Sequence, residues 1–246
     1  MESLDNLLTK AAERLKKAKR VVVLTGAGVS AESGIPTFRD AQVGLWEKYD
    51  PAELASPEGF QANPKLVWGW YEYRREIVRN NIPNPAHYAL VELEKKLPHT
   101  VIVTQNVDEY HRIAGNQNIL ELHGRIMENR CFKEGRLLKD NELNHSSIPP
   151  RCTCGAYVRP GVVWFGESLP SNTLSQAFNE ARSCDVCLVV GTAGVVQPAA
   201  SIPYYAEQAK AFLIEINNLP SALTSIMQVF LQGKAGEVLP KLVSLI

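Results

Sequence analysis

Four short runs of almost unbroken apolar sequence set the strongest limit on what this chain can become. They are Val21–Leu24, Thr100–Thr104, Asp185–Val190 and Ala211–Ile216. Apolarity without alternation means burial on both faces, as in parallel strands covered by helices. Helical patterns lie between them at Ala86–Leu97, Leu174–Arg182 and Ile202–Gln208. The alternation predicts an α/β fold with a Rossmann-like, doubly wound parallel sheet. Leu4, Leu7, Leu8, Ala11, Ala12 and Leu15 add an amphipathic first helix at the usual spacing.

Two stretches break the rhythm. Residues 36–83 hold Pro36, Pro51, Pro57, Pro64 and Pro83, with four aromatic residues from Trp68 to Tyr73, and read as a helical insertion. Residues 125–160 contain three of the five cysteines and no long apolar run. Such a segment is too poor in apolar side chains to build its own core, so a metal staple suits it.

Composition narrows the class. The 246 residues carry 26 Lys+Arg against 26 Asp+Glu, with 45% hydrophobic and 21% charged residues. These values exclude a disordered or fibrous chain. Zero net charge argues against nucleic acid as the main partner, since neutralising phosphates takes a basic surplus. Five unevenly spaced cysteines do not make a secreted disulfide framework and fit a reducing, cytoplasmic setting. No apolar run approaches the roughly 20 residues of a membrane span. Glu2 and Asp5 argue against a targeting peptide at the N-terminus.

The first strand runs into Gly26-Ala27-Gly28-Val29-Ser30. A strand, then GxG, then small residues opening a helix, suits a phosphate cradle, because glycine lets backbone N–H groups approach the anion. The alternative is a glycine turn that merely reverses the chain. The third glycine comes late, at Gly34, and no acidic residue follows a second strand about 20 residues on, which disfavours an ordinary dehydrogenase. The second strand delivers Gln105, Asn106 and Asp108 to its C-terminal end, where doubly wound sheets bind ligands. Helix capping by Asn106 or Asp108 is the plainer reading there, and it leaves Gln105 unexplained. Leu120–Leu122 is a short strand leading to His123-Gly124. At that strand end an imidazole is placed to act as general base near neutral pH. His87, His99, His111 and His145 lack such context and read as structural or surface residues. Val162, Trp164 and Phe165 lie in a short apolar strand suited either to the core or to pairing with an extended peptide.

Together, GAGVSAESGIPTFRD, TQNVD, LHG, RPGVVWFGE, GTAGVVQPAA and EIN stand in the order found in sirtuins, the NAD-dependent protein-lysine deacylases. The resemblance covers residues 10–245. It implies a large Rossmann-like domain (1–35, 84–124 and 161–246) and a small domain from insertions 36–83 and 125–160. It also implies NAD as co-substrate, acyl-lysine proteins or peptides as partners, and nicotinamide, free lysine and O-acyl-ADP-ribose as products. His123 would be the base, with Asn106 beside it in the catalytic pocket. Gly26, Ala27, Gly28, Glu32, Phe38, Arg39, Gln105, Asn106, Asp108, Gly191, Thr192, Ala193, Asn217 and Ala235 would bind NAD. Val162, Trp164 and Phe165 would meet the peptide. An NAD glycohydrolase or ADP-ribosyltransferase on the same fold, and a non-enzymatic NAD sensor, are the alternatives. A monomer is expected.

Tyr71 and Arg74, three apart on one helix face, match the Tyr-x-x-Arg pair of the desuccinylase and demalonylase subclass. Ala55 matches the small residue that leaves room in its acyl pocket. A guanidinium grips a distal carboxylate bidentately, and a phenol adds a hydrogen bond. The bland alternative is an exposed Arg–Glu pair with Glu72 or Glu76.

The family's zinc module carries two CxxC pairs. Here Glu134 stands where the second cysteine is expected, and Cys152-Thr153-Cys154 is one residue short. Cys131, Cys152 and Cys154 supply three thiolates of the four ligands zinc needs. Glu134 or His145 would add the fourth, or the module has lost its metal. Cys184 and Cys187 read as buried structural thiols on opposite faces of one strand. Ala193, Tyr110 and Asn218 are smaller departures from the family pattern.

Overall fold

The structure is a computed structural model that describes residues 3–36 and 47–246. Helix α1 (Leu4–Lys17) starts at Ser3, whose side chain accepts from Asn6 N–H, and it buries Leu8, Ala11, Ala12 and Leu15. Strand β1 (Val21–Thr25) follows, then the short α2 (Gly28–Ala31). Next come α3 (Pro51–Leu54), α4 (Pro57–Ala62), α5 (Pro64–Arg79) and α6 (Pro85–Lys96). Asp50, Ser56, Asn63 and Asn84 cap these four helices, and each cap precedes a proline in the first turn. Proline suits that turn because its missing N–H has no intrahelical partner there anyway. Three of the five prolines that mark the insertion, Pro51, Pro57 and Pro64, therefore start its helices.

The chain continues through β2 (Thr100–Thr104), α7 (Tyr110–Ala114), β3 (Ile119–Glu121) and β4 (Gly124–Cys131). Then come β5 (Leu137–Leu138), β6 (Leu143–Asn144), β7 (Arg151–Cys152) and β8 (Val158–Val162). Last are α8 (Ser171–Ser183), β9 (Val186–Val190), α9 (Ile202–Gln208), β10 (Phe212–Asn217), β11 (Val229–Gln232) and α10 (Ala235–Ser244).

The main sheet has six strands in the order β11-β10-β9-β1-β2-β3, and each neighbouring pair is parallel. This is the doubly wound arrangement expected. The chain builds outward from β1 to β3, then returns to place β9 on the other side of β1. The switch point therefore lies between β1 and β9, where such sheets bind ligands at their carboxyl ends. One core cluster under the sheet unites α1, α6 and α10 with Val21, Val23, Leu188 and Ile214. The cluster on the opposite face unites α8 and α9 with Val22, Leu24, Val189 and Leu213.

A third cluster joins α3–α5 to β4 and β8 through Leu54, Phe60, Trp70, Tyr71, Ile126 and Trp164. Arg75 fastens this unit. Its buried guanidinium donates to Ile126 O (2.6 Å), Glu128 O (2.9 Å) and Asn129 Oδ1 (3.0 Å), and it pairs with Glu72 (2.6 Å).

The cysteine pair 184/187 departs from expectation. Both thiols are buried, but in the same core cluster. Cys184 ends helix α8 and the strand begins only at Val186, so strand alternation does not govern the pair. Burial raises both thiols, Cys184 to about 12.

Candidate active site

Two loops meet at the switch point. Gly26 N–H donates to Val190 O (3.0 Å) and Gly28 N–H to Gly191 O (2.8 Å). A Cβ added at Gly28 would lie 2.8 Å from Gly191 Cα, and one at Gly191 would lie 2.5 Å from Val29 N. Gly191 also has φ +61. Only glycine permits this approach, so the GxG is more than a chain reversal. Gln105 Nε2 donates to Thr192 Oγ1 (3.1 Å), and Asn217 Nδ2 to Thr192 O (2.9 Å), which ties the second loop to β2 and β10. The loops open onto a cavity of about 600 Å³. The Gly26 and Gly28 N–H groups are spent on the Val190 and Gly191 carbonyls, so the loops contribute a closely packed backbone wall with polar side chains at its rim.

Beyond β2 the polar residues are held from below. Asn84 N–H donates to His87 Nδ1 (3.2 Å), which leaves the ring proton on Nε2, 3.3 Å from Ser30 Oγ. Ser30 Oγ also accepts from Asn106 Nδ2 (3.1 Å). Burial lowers His87 to about 4 and His111 to about 3, so both rings are neutral donors and acceptors here. Asp108 also caps the start of α7 by accepting from Tyr110 N–H (3.0 Å). Capping and a site role thus coincide in one side chain. Burial raises the Asp108 carboxyl, opposed by Tyr110 N–H, Ser30 and the nearby Arg74.

His123 sits in the turn after β3 and faces the cavity. Its Nδ1 lies 2.8 Å from Gln105 O, a pure acceptor, so Nδ1 carries the proton. Nε2 is then left with its lone pair. Burial lowers the imidazole below its ordinary value, with the Gln105 bond opposing, so the neutral, basic form prevails at neutral pH.

The cavity is also lined by Ala55, Tyr71, Arg74, Ile77, Val78, Ile126 and Trp164. The Arg74 guanidinium carbon is 5.8 Å from the Tyr71 ring centre and 5.8 Å from that of Trp70. Desolvation is the largest influence on Arg74 and lowers it, opposed by Tyr71 and Asp108. Arg74 is half-buried at the cavity wall, and Glu72 pairs instead with the buried Arg75 and the exposed Arg79. Tyr110 Oη donates to Val78 O (3.0 Å), so the residue that departs from the family pattern anchors the last turn of α5.

The segment after β8 behaves differently from a free pairing strand. Val163 N–H donates to His123 O (2.9 Å), Trp164 N–H to Glu167 Oε2 (2.8 Å) and Phe165 N–H to Ala55 O (2.9 Å). These three donors are spent internally. Trp164 is only 2% exposed and lines the cavity with Tyr71, while Phe165 is exposed at the rim.

The cysteine module also assembles. The sulfurs of Cys131, Cys152 and Cys154 lie 2.9–3.5 Å apart, and a Glu134 carboxylate oxygen joins them within 4.8 Å. Four ligands at zinc distances stand about 3.8 Å apart in a tetrahedron, so this donor set fits a zinc ion. Of the two fourth-ligand candidates, Glu134 is in the cluster and His145 is not.

Gly26, Ala27, Gly28, Gln105, Asn106, Asp108, His123, Gly191, Thr192 and Ala193 therefore share one cavity with Ala55, Tyr71, Arg74, Val162, Trp164 and Phe165. Glu32 and Ala235 do not line it. Glu32 instead accepts from Gly236 N–H (2.8 Å) and tethers α2 to the start of α10. Asn217 acts on the cavity wall through Thr192. Phe38 and Arg39 lie outside the described residues. Ser30 and His87 were not singled out by sequence. The one signal for Ser30 was its place two residues past GxG, and His87 gave none.

The Sir2 family model matches residues 26–198. A "NAD-dependent protein deacylase 2" from Pyrobaculum aerophilum is 51% identical over 234 residues, covering 94% of this chain and 93% of its own. A solved Sir2 homolog–NAD complex is 46% identical with a TM-score of 0.87, over 96% and 92% of the two chains. Sir2Af2 bound to a myristoylated histone peptide is 40% identical with a TM-score of 0.79, over 98% and 96%.

Proposed function

We propose, for a chain that belongs to the Sir2 family, an NAD-dependent protein-lysine deacylase that favours acyl groups ending in a carboxylate. The deacylase activity and its NAD co-substrate follow from the family relationship. The acyl preference rests on one observation: Tyr71 and Arg74 line the same cavity as the glycine loops and the small Ala55, with the Arg74 guanidinium carbon 5.8 Å from the Tyr71 ring centre. In a desolvated pocket a guanidinium and a phenol match a carboxylate better than any neutral group.

NAD supplies the ribose that receives the acyl group as nicotinamide leaves. This chain's residues do the rest. Gly26, Ala27, Gly28, Gly191, Thr192 and Ala193 would hold the diphosphate and its ribose. Gln105 and Asn106 would orient the reacting ribose. Asp108, kept in place by Tyr110, would face the carboxamide. His123 would take a ribose hydroxyl proton on Nε2, its tautomer set by the Gln105 carbonyl. The acyl-lysine would enter from the Phe165 rim, and its peptide would pair through the carbonyl side of residues 163–165. Cys131, Cys152, Cys154 and Glu134 would hold a structural zinc ion away from the chemistry. The two insertions, 36–83 and 125–160, form the small domain of this reading.

Succinyl-, malonyl- and acetyl-lysine peptides with NAD test it. The expected result is a kcat/KM for the acidic acyl groups above that for acetyl, with Arg74→Met reversing the order. An unchanged ratio in Arg74→Met sinks the carboxylate clamp. A preference for long neutral chains is the second reading, favoured by the apolar wall of Ile77, Val78 and Ile126, and a myristoyl-lysine peptide added to the panel separates the two.

A further inference from the structure

We infer that Trp164 is a positioning residue for acyl selectivity: its indole N–H fixes the Tyr71 hydroxyl so that the phenol's proton points at the acyl carboxylate. The inference rests on the acidic-acyl reading above and assigns it a residue that need not touch the acyl group.

The indole is held on several sides. The Arg159 guanidinium lies flat over it, 3.4 Å from the ring centre to Cζ. Phe60 packs against it at 5.3 Å between ring centres. Arg159 is itself held by both carboxylate oxygens of Glu167 and by Val162 O (2.7 Å). Glu167 Oε2 also accepts from Trp164 N–H, so one carboxylate pins the backbone and, through Arg159, the ring.

Its Nε1–H points at Tyr71 Oη, 3.0 Å away. Indole nitrogen only donates, so the phenol oxygen accepts this bond. Arg74 stands beside the same phenol, its guanidinium carbon 5.8 Å from the ring centre, and as a pure donor it offers the hydroxyl no acceptor. With the indole N–H on the phenol oxygen and no acceptor at the guanidinium, the phenol's own proton is directed away from both. Tyr71 lines the cavity, and a group bound there is the acceptor open to that proton. A carboxylate there would receive a hydrogen bond from a hydroxyl already aimed at it, with no rotor to freeze on binding. An acetyl group has no oxygen that reaches so deep, so it gains nothing from the arrangement. The effect therefore belongs to selectivity and not to the acyl-transfer step.

The test compares kcat/KM for succinyl- and acetyl-lysine peptides at saturating NAD in wild type, Trp164→Phe, Tyr71→Phe, the double variant and Arg74→Met. Loss of one hydrogen bond to the phenol should lower the succinyl-to-acetyl ratio about fivefold in Trp164→Phe, mainly through KM. The double variant should be no lower than Tyr71→Phe, because the indole acts only through the phenol. A Trp164→Phe ratio equal to wild type, or a double variant lower by the product of the singles, overturns the inference. A purely structural role would depress both substrates in proportion and leave the ratio alone. If Arg74→Met collapses the ratio and Trp164→Phe does not, the carboxylate reading stands and this inference alone fails. If Arg74→Met leaves the ratio unchanged, both fail. Should Trp164→Phe not fold, 3-benzothienylalanine at position 164 keeps the ring shape, removes only the N–H and gives the same readout.

Discussion

Glu167→Ala removes the carboxylate on which the Arg159–Trp164 arrangement depends. The Arg159 side chain is 5% exposed, so it would lose its only ion-pair partner among the described residues while staying buried beside the indole. Breaking such a buried pair costs roughly 3–5 kcal/mol. Glu167 itself is 27% exposed, so water replaces part of what is lost, and the lower estimate, about 2–3 kcal/mol, applies. The Trp164 amide loses its acceptor as well. For a chain of this size each kcal/mol moves Tm by about 2–4 °C, so the expected drop is about 5–10 °C. Circular-dichroism melts of wild type, Glu167→Ala, Arg159→Met and the double variant measure it. The double variant should melt above Glu167→Ala, because it leaves no unpaired buried cation. The pH dependence has a definite sign. Burial raises the Glu167 carboxyl, but the bonds from Arg159 and Trp164 N–H outweigh it and hold the group below its ordinary value. The stabilisation is then full above the unfolded-state value and fades as pH falls through the lower folded one. The gap between wild type and variant should close in acid and stay constant above neutrality. A Tm drop under 2 °C at neutral pH, or a gap that widens in acid, would refute this account.

His123→Ala should abolish deacylation, measured as nicotinamide release with acyl peptide. In wild type the acid limb of kcat/KM should fall below the ordinary histidine value near 6.5, since burial depresses His123 and activity is lost only as it protonates; a limb above 6.5 contradicts the assignment. Elemental analysis of the purified protein should find one zinc per chain, and Glu134→Ala should speed its transfer to a chromogenic chelator; less than a tenth of an equivalent of zinc would reject the site.

The parallel core was legible because burial on both faces writes continuous apolar runs, as in Val21–Leu24 and Thr100–Thr104. Strand β11 escaped because an edge strand is half-covered, and Val229–Gln232 alternates between buried and more exposed positions. The strands around the cysteines escaped because β5, β6 and β7 have two residues each, too short for any periodicity. Glycines 26, 28 and 191 announced the backbone wall, since close approach of backbone excludes every other residue. The Asn84–His87–Ser30 network was hidden, because Asn84 and His87 read as a helix cap and only the fold brings the distant Ser30 against them. The 184/187 thiols were misjudged for the same reason: a helix end and a strand placed them on one face of the sheet.

Helix α5 divides its labour by face. Arg75 fixes the helix to β4 through backbone carbonyls, and Tyr110 holds its last turn through another. Tyr71 and Arg74 meet the cavity instead. On the carboxylate reading, the part that reads the acyl group can be exchanged by point substitution while the catalytic floor and the helix's moorings stay untouched. Such a scaffold can diversify its diet of acyl groups across lineages without rebuilding the enzyme.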